Sequence, residues 1–278
     1  MTLTRRELRR LLDDHGLEPS RARGQNFVVD PNTVRKVARL AKVGPGDRVV
    51  EIGAGLGSLT LALAETGAAV TAIEVDRGLV PVLRSVVEPA GVTVVVADAM
   101  RLDWAALLGE HRPWSLVANL PYNVATPLVA DLLDGVPAIA TMTVMVQREV
   151  AERLAAAPGD EAYGAVSVKV AYWATAAVVA RVPPTVFLPP PKVDSAVIRI
   201  ERRTEPAVSP EVDREWLFRL VAAGFGQRRK MLRRSLAGLV GSDDFAAAKV
   251  RGEARAEELG LQEWARLAKC SARVPPPS

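Results

Sequence analysis

Apolar positions along the chain fall into two patterns: short continuous runs that predict buried strands, and runs at helical spacing between them. Leu8, Leu11 and Leu12 share one side of an amphipathic helix predicted within residues 1–22, with arginines on the other side and Gly16 at its end. Pro31–Ala41 predicts a helix with Asp30 as N-cap and proline at its first position. Arg48–Ile52 is a predicted buried strand, Gly53-Ala-Gly-Leu-Gly57 opens a helix through Leu59, Leu63 and Ala64, and Ala69–Glu74 is the next strand. Val92–Asp98 and Ser115–Ala118 predict two more strands, followed by a helix over 125–133, a strand over 141–147 and a helix over 148–154. This alternation predicts an α/β fold with a parallel, Rossmann-like sheet.

Beyond the polar loop 158–164 the pattern changes. Val166–Val179 and Ala196–Ile200 are apolar and β-branched, joined by the proline-rich 181–192. They predict an antiparallel pair of strands closing the sheet. Thr204–Pro210 has linker composition, and everything beyond it predicts helices, from the stripe Trp216, Leu217, Leu220, Val221 to a final helix over 259–267. The expected organisation is a sheet domain with an N-terminal helical extension over 1–205 and a small all-helical domain over 206–278.

Composition narrows the classes. At 278 residues the chain holds one full α/β domain and a smaller module. It has no run near the roughly 18 apolar residues of a membrane span, and its start lacks the apolar core of a secretory signal. The single Cys270 suits a reducing cytoplasm, so a cytoplasmic protein without membrane attachment is expected. One cysteine and two separated histidines, His15 and His111, give a zinc site or a serine–histidine triad little to build on, and no metal is expected. Nothing in the sequence demands more than a monomer.

The net charge of +4 is modest but unevenly spread. Phe225-Gly-Gln-Arg-Arg-Lys-Met-Leu-Arg-Arg-Ser235 holds five cations, Arg228, Arg229, Lys230, Arg233 and Arg234, and no acid. A solvated helix face would interleave acids; a block without them is the footprint of a phosphate-rich partner.

Candidate chemistry collects at the predicted strand ends: Gly53, Glu74, Asp98 and Asn119 all fall on the carboxyl edge of the sheet, where open α/β folds bind ligands. The glycine loop is not a dinucleotide fingerprint, because position 58 is serine and the glycine falls at Gly57. Glu51 would also stand close to a pyrophosphate. A carboxylate there suits a ligand with an amino group and a sulfonium charge, so S-adenosylmethionine fits better than NAD. Glu74, about twenty residues on, is placed to hold ribose hydroxyls, and Asp98 to accept from an adenine amine. The fourth strand delivers Asn119-Leu-Pro-Tyr122. The Asn119 carboxamide oxygen and the Leu120 carbonyl offer acceptors for two N–H bonds, Pro121 fixes the backbone, and Tyr122 offers a ring to stack. Together they read as a clamp for a flipped-out base. A strand ending in a polar-proline-tyrosine turn is otherwise common, and the neighbouring motifs decide between the two. The proline-rich loop is either just a stiff connector or it holds Phe187 out between its proline neighbours as the candidate second wall against the target base. Gly24-Gln-Asn-Phe27 lines a pocket or is simply a turn.

Gly24-Gln-Asn-Phe27, Glu51-Ile-Gly-Ala-Gly-Leu-Gly57, Glu74-Val-Asp76, Asp98-Ala99, Asn119-Leu-Pro-Tyr-Asn123, Val146-Gln-Arg-Glu-Val150, Pro191-Lys-Val-Asp-Ser195 and Phe225-Gly-Gln-Arg-Arg-Lys230, in this order, resemble the small-subunit ribosomal RNA adenine dimethyltransferase family. The resemblance covers nearly the whole chain. It implies a class I S-adenosylmethionine-dependent methyltransferase sheet and a 16S rRNA partner within the immature 30S subunit. It also implies dimethylation of N6 on two adjacent adenines of the 3′-terminal hairpin, with a role in late assembly. By the same resemblance Asn26, Val28, Gly53, Gly55, Glu74, Asp98 and Asn119 contact the cofactor, while Asn119, Leu120, Pro121, Tyr122 and Phe187 handle the target base. The five cations of the basic block contact RNA. Departures are Val28 for the usual leucine, Met231 for threonine and Arg234 for asparagine. A 23S-modifying relative shares the chemistry, but Leu120 and Pro191–Ser195 favour the small-subunit branch. An assembly factor without catalysis would show decay at Gly53, Glu74 or Asn119, and a dehydrogenase would need a dinucleotide loop.

Overall fold

The computed structural model describes residues 2–20, 24–109, 113–121 and 124–271. In chain order its helices and strands are α1 (Arg5–Asp14), β1 (Phe27–Val28), α2 (Pro31–Ala41), β2 (Arg48–Ile52), α3 (Ser58–Ala64), β3 (Ala69–Glu74), α4 (Val80–Val87), β4 (Thr93–Val96), α5 (Trp104–Leu108) and β5 (Trp114–Asn119). There follow α6 (Ala125–Gly135), β6 (Ile139–Gln147), α7 (Arg148–Ala155), α8 (Ala165–Trp173), β7 (Ala174–Val182), β8 (Phe187–Leu188), β9 (Ser195–Arg202), α9 (Arg214–Gly226), α10 (Leu232–Ser235), α11 (Ser242–Ala248) and α12 (Leu261–Ser271). Two compact units result, Met1–Ala151 with Ala176–Arg202, and Glu152–Thr175 with Arg203–Ser278.

The first unit is built on a seven-stranded sheet in the order β4-β3-β2-β5-β6-β9-β7. Neighbouring strands from β4 to β6 are parallel, and β9 runs antiparallel to β6. Register sets the site: Ile52 lies opposite both Ile73 and Ala118, so β2, β3 and β5 end side by side. Val49, Val50, Leu116 and Val117 are fully buried, the consequence of helices on both faces of a parallel sheet. Asp30 caps α2 by accepting from the Asn32 and Thr33 amides, as its sequence predicts. Arginines close two helix C-termini: Arg199 donates to Leu40 O and Ala41 O at 2.9 and 3.0 Å, and Arg202 donates to Leu132, Leu133, Val136 and Ile139 carbonyls at 2.8–3.2 Å. Leu40, Ala41 and Leu133 lie in the last turn of a helix, where intrahelical donors run out, whereas Leu132 O and Val136 O also accept from the Val136 and Ile139 amides at 3.1 Å.

Two expectations are corrected. Val166–Val179 is not one strand: residues 165–173 form α8, and only 174–182 continue as β7. Valines at 166, 168 and 170 imitate strand alternation, but Val168 and Tyr172, four residues apart, enter one core with Leu217 and Trp264. Tertiary burial overrides the β-branched preference. The second unit accordingly takes Glu152–Thr175 with the helices after 203, and its core is centred on Trp264, Tyr163 and Leu217. Phe187 is the second correction. Its ring is fully buried, because β8 pairs with β1 and sets Phe187 against Val28, so the prolines around it do not hold it in solvent.

Replacing Arg202 by leucine is expected to remove one donor from each of four carbonyls, of which Leu132 and Val136 keep a backbone amide, and to lower stability by about 1–3 kcal/mol, read as a fall in the denaturant midpoint. An unchanged midpoint would show that water replaces the guanidinium.

Candidate active site

The glycine turn after β2 is shaped by what it touches. Gly53 N donates to Ile73 O at 2.9 Å, tying the turn to β3. Gly55 has φ +59, and a Cβ there would lie 2.9 Å from Phe27 Cε1, so the position excludes a side chain on both counts. Its amide donates to Glu74 Oε2 at 2.8 Å, while the Asp76 amide donates to Oε1 at 2.8 Å. Each oxygen of Glu74 therefore holds one N–H and keeps capacity to accept another. Burial nonetheless raises the Glu74 pKa above the ordinary carboxylate value.

Glu51 is buried more severely. It is 2% exposed, its Oε2 has no hydrogen-bond partner, and burial, reinforced by the charge of Glu74, pushes its carboxyl up to about 8. A neutral acid beside a fixed, buried carboxylate makes this edge a place where a cationic ligand would be favoured.

Two adjoining cavities open on this edge. One, of about 120 Å³, is lined by Asn26, Gly53, Gly55, Glu74, Asn119, Leu120 and Pro121 among others. The second, of about 160 Å³, is more apolar and is lined by Ile52, Asp98, Met100, Val124 and Leu128, sharing Gly53, Val75 and Pro121 with the first. The fold thus brings Asn26, Gly53, Gly55, Glu74, Asp98, Asn119, Leu120 and Pro121 together. Val28 stands behind the wall, buried in the core, and Tyr122 lies outside the described residues.

Asn119 is oriented by one bond: its Nδ2 donates to Asn26 O at 2.9 Å. With the amide hydrogens turned that way, Oδ1 remains as an acceptor, and no described residue donates to it. Leu120 buries its side chain and donates its amide to Met145 O at 3.0 Å, which fixes the Asn119–Leu120 peptide just before Pro121.

Several residues of this edge escape sequence reasoning. Val75 and Met100, 59% and 43% exposed, are apolar side chains presented to the cavities. The signal for Val75 is its place directly after the strand-end acid. Gln25 donates to Asp76 Oδ2 at 2.9 Å and accepts from Ser20 N at 2.8 Å, bracing the segment before β1 on the loop that follows Glu74. Both belong to motifs already noted, yet no local pattern pairs residues so far apart in the chain.

In the second unit all five cations of the basic block are exposed. Arg228 is paired to Glu257 at 2.7 Å and Arg233 to Glu253 at 3.0 Å. The block is free of acids along the chain, but the fold supplies two. Among the described residues Arg229, Lys230 and Arg234 have no ion pair.

Residues 19–273 match the family model described as ribosomal RNA adenine dimethylase. The ribosomal RNA small subunit methyltransferase A of Cutibacterium acnes is 48% identical, over 96% of this chain and 93% of that protein. The protein of the same name from Magnetococcus marinus is 47% identical, over 93% of this chain and 94% of that one. Among solved structures, the 23S rRNA methyltransferase ErmE superposes with a TM-score of 0.70 at 28% identity, covering 89% of this chain and all of that one. A dimethyladenosine transferase from Plasmodium falciparum gives 0.70 at 23% identity, covering 86% and 94%.

The buried Glu51 has a consequence for stability. Its folded pKa is raised, so between about pH 4.5 and 8 the folded protein holds a proton that the unfolded chain releases, and stability falls as pH rises through that window. Glu51→Gln removes this contribution. The variant is expected to melt several degrees above the parent at pH 8 and level with it at pH 4.5, measured by thermal unfolding of the unliganded protein. Equal melting temperatures at both values would show that Glu51 is solvated in solution.

Proposed function

The chain belongs to the ribosomal RNA adenine dimethylase family, and from that membership we propose that it dimethylates N6 of two adjacent adenines in the 3′-terminal hairpin of 16S rRNA. It is an S-adenosylmethionine-dependent rRNA adenine dimethyltransferase with the fold of the class I methyltransferases. The small-subunit target is supported by the names of relatives above 40% identity over nearly the full chain and by Leu120 in the clamp. The substrate we propose is the immature 30S particle, and the work is done in the cytoplasm by a monomer late in assembly. No helix among the described residues is long and apolar enough to cross a membrane.

The paired cavities fit the cofactor. The polar one offers backbone at Gly53 and Gly55, the Asn26 side chain and the Glu74 carboxylate with accepting capacity left for ribose hydroxyls. The apolar one offers Asp98 for an adenine amine, with Val75 and Met100 exposed to meet a purine face. The cation-favouring edge at Glu51 and Glu74 suits a ligand that carries an ammonium and a sulfonium. When bound, S-adenosylmethionine supplies a methyl group on positively charged sulfur.

The observation that carries the reading is the Asn119 carboxamide, tied by Nδ2 to Asn26 O so that Oδ1 accepts. An adenine N6 lone pair is conjugated into the ring and is a poor nucleophile. Acceptance of its two N–H bonds by Asn119 Oδ1 and the Leu120 carbonyl draws the nitrogen toward a tetrahedral shape with its lone pair free. The bond from Leu120 N to Met145 O and the Pro121 ring hold these acceptors still, so little reorganisation remains for the reaction itself. Once alkylated, the nitrogen is acidic and releases its proton to water, so no general base is required. A base must leave its stack to reach the clamp, and Tyr122 is the residue we assign to receive its ring. Arg229, Lys230 and Arg234, exposed and without ion pairs among the described residues, are the cations we assign to the RNA backbone.

Labelled methyl transfer from S-adenosylmethionine to unmodified 30S particles, followed by nucleoside mass analysis, is expected to give N6,N6-dimethyladenosine at two neighbouring 16S positions; label on 23S rRNA would refute the small-subunit assignment. Asn119→Ala is expected to cut kcat/KM by about 10²–10³-fold, and parental turnover in that variant would overturn the clamp. Reversing Arg229, Lys230 and Arg234 to glutamate is expected to weaken particle binding and flatten its dependence on salt.

A further inference from the structure

Helix α1 carries its charges against its own electrostatics. A helix favours acids at its start and cations at its end, because its dipole is positive at the N-terminus and negative at the C-terminus. In α1 Arg5 and Arg6 occupy the first turn, Arg9 and Arg10 follow, and Asp13 and Asp14 stand at the C-terminus, with no cation in the last turn. The one acid in the first turn, Glu7, is consumed by the cap, accepting from Thr4 N and Thr4 Oγ1 at 2.8 and 2.6 Å. Arg10 meets Asp14 only at 3.7 Å in an exposed pair. Arg6 and Arg9 are exposed and have neither ion pair nor hydrogen bond among the described residues. Helix stability does not explain these arginines.

Their position does suggest a use. The opposite face of α1 is rigidly seated: Leu8 and Leu12 are buried against Phe27, Leu56 and Leu79. Phe27 and Leu79 are themselves part of the wall of the polar cavity. Arg5 adds an anchor by donating to Thr185 O at 2.5 Å. The helix therefore lies one layer outside the cavity wall, holding its free guanidinium groups in a fixed place. We propose that the Arg6 and Arg9 face of α1 is a second phosphate-binding surface that holds the backbone of the substrate rRNA beside the catalytic cleft. The proposal rests on the rRNA reading above and adds to it a contact made by the catalytic unit itself.

The test uses the full chain with Arg6→Glu and Arg9→Gln combined. Glutamate at position 6 agrees with the helix dipole and stands four residues before Arg10, so the melting temperature is expected to hold or rise, and cofactor affinity to stay unchanged. Binding to unmodified 30S particles and to protein-free 16S rRNA is measured over a range of KCl. Affinity for both is expected to fall about tenfold, with the slope of log K against log salt shallower by about one to two. Unchanged affinity and slope in a variant whose parent labels 16S rRNA would overturn this inference and leave the enzyme assignment standing. A loss seen on the particle and absent on protein-free RNA would assign the face to a ribosomal protein and overturn it equally. Failure of the parent to bind or label small-subunit RNA would remove both readings together.

Discussion

A carboxylate buried at the end of a strand must be satisfied before anything else at that edge can be built, and Glu74 is satisfied by two backbone amides, one on each oxygen. This constraint propagates. The Gly55 amide reaches Oε2 only because the turn passes through positive φ, and that conformation, with Phe27 packed where a Cβ would be, admits only glycine. The Asp76 amide reaches Oε1, and Asp76 in turn receives Gln25, which holds the segment leading to Asn26. Asn26 supplies the carbonyl that orients Asn119. The acceptor proposed for the target amine and the acid proposed for the ribose are thus ends of one hydrogen-bonded chain, with Gln25 and Asp76 as its middle.

The same edge is tuned by what it lacks. Two acids, Glu51 and Glu74, are buried there without a paired cation, and both are held above the ordinary carboxylate range. For stability alone an apolar residue at position 51 would serve better, because the buried Glu51 carboxyl leaves one oxygen without a hydrogen-bond partner, whereas Glu74 is needed by the two amides it accepts from. Their retention fits a ligand that brings its own positive charge and is gripped by groups whose solvation was given up during folding.

Much of this was legible in the sequence, because strand ends are local and parallel register brings them together without further information. Gly53, Glu74 and Asn119 are found at the edge their strands predict, and the glycine spacing alone argued against a dinucleotide. What stayed hidden depends on pairings far apart in the chain. Phe187 is covered because β8 finds β1, some 160 residues earlier in sequence, so its proline neighbours were a misleading sign of exposure. Residues 165–173 become a helix because the core of the second unit surrounds them; their apolar groups are spread around the axis and leave no one-sided stripe to read. Glu253 and Glu257 meet the basic block only through tertiary folding.

Arginine shows most directly how the fold assigns work that composition cannot. Arg199 and Arg202 spend their charge on helix carbonyls and belong to the architecture. Arg228 and Arg233 are met by glutamates and hold the second unit together as much as they present charge outward. Among the cations without an ion pair in the described residues are Arg6 and Arg9 on α1 and Arg229, Lys230 and Arg234 in the basic block, each set of which is clustered on one element or segment. An exposed cation left unpaired contributes little to stability, and several in one place repel one another. Such groups gain free energy only when a polyanion arrives and releases its counterions. A net charge of +4 understates the attraction, because what a phosphate backbone meets is not the sum but the local clusters of cations that no acid neutralises.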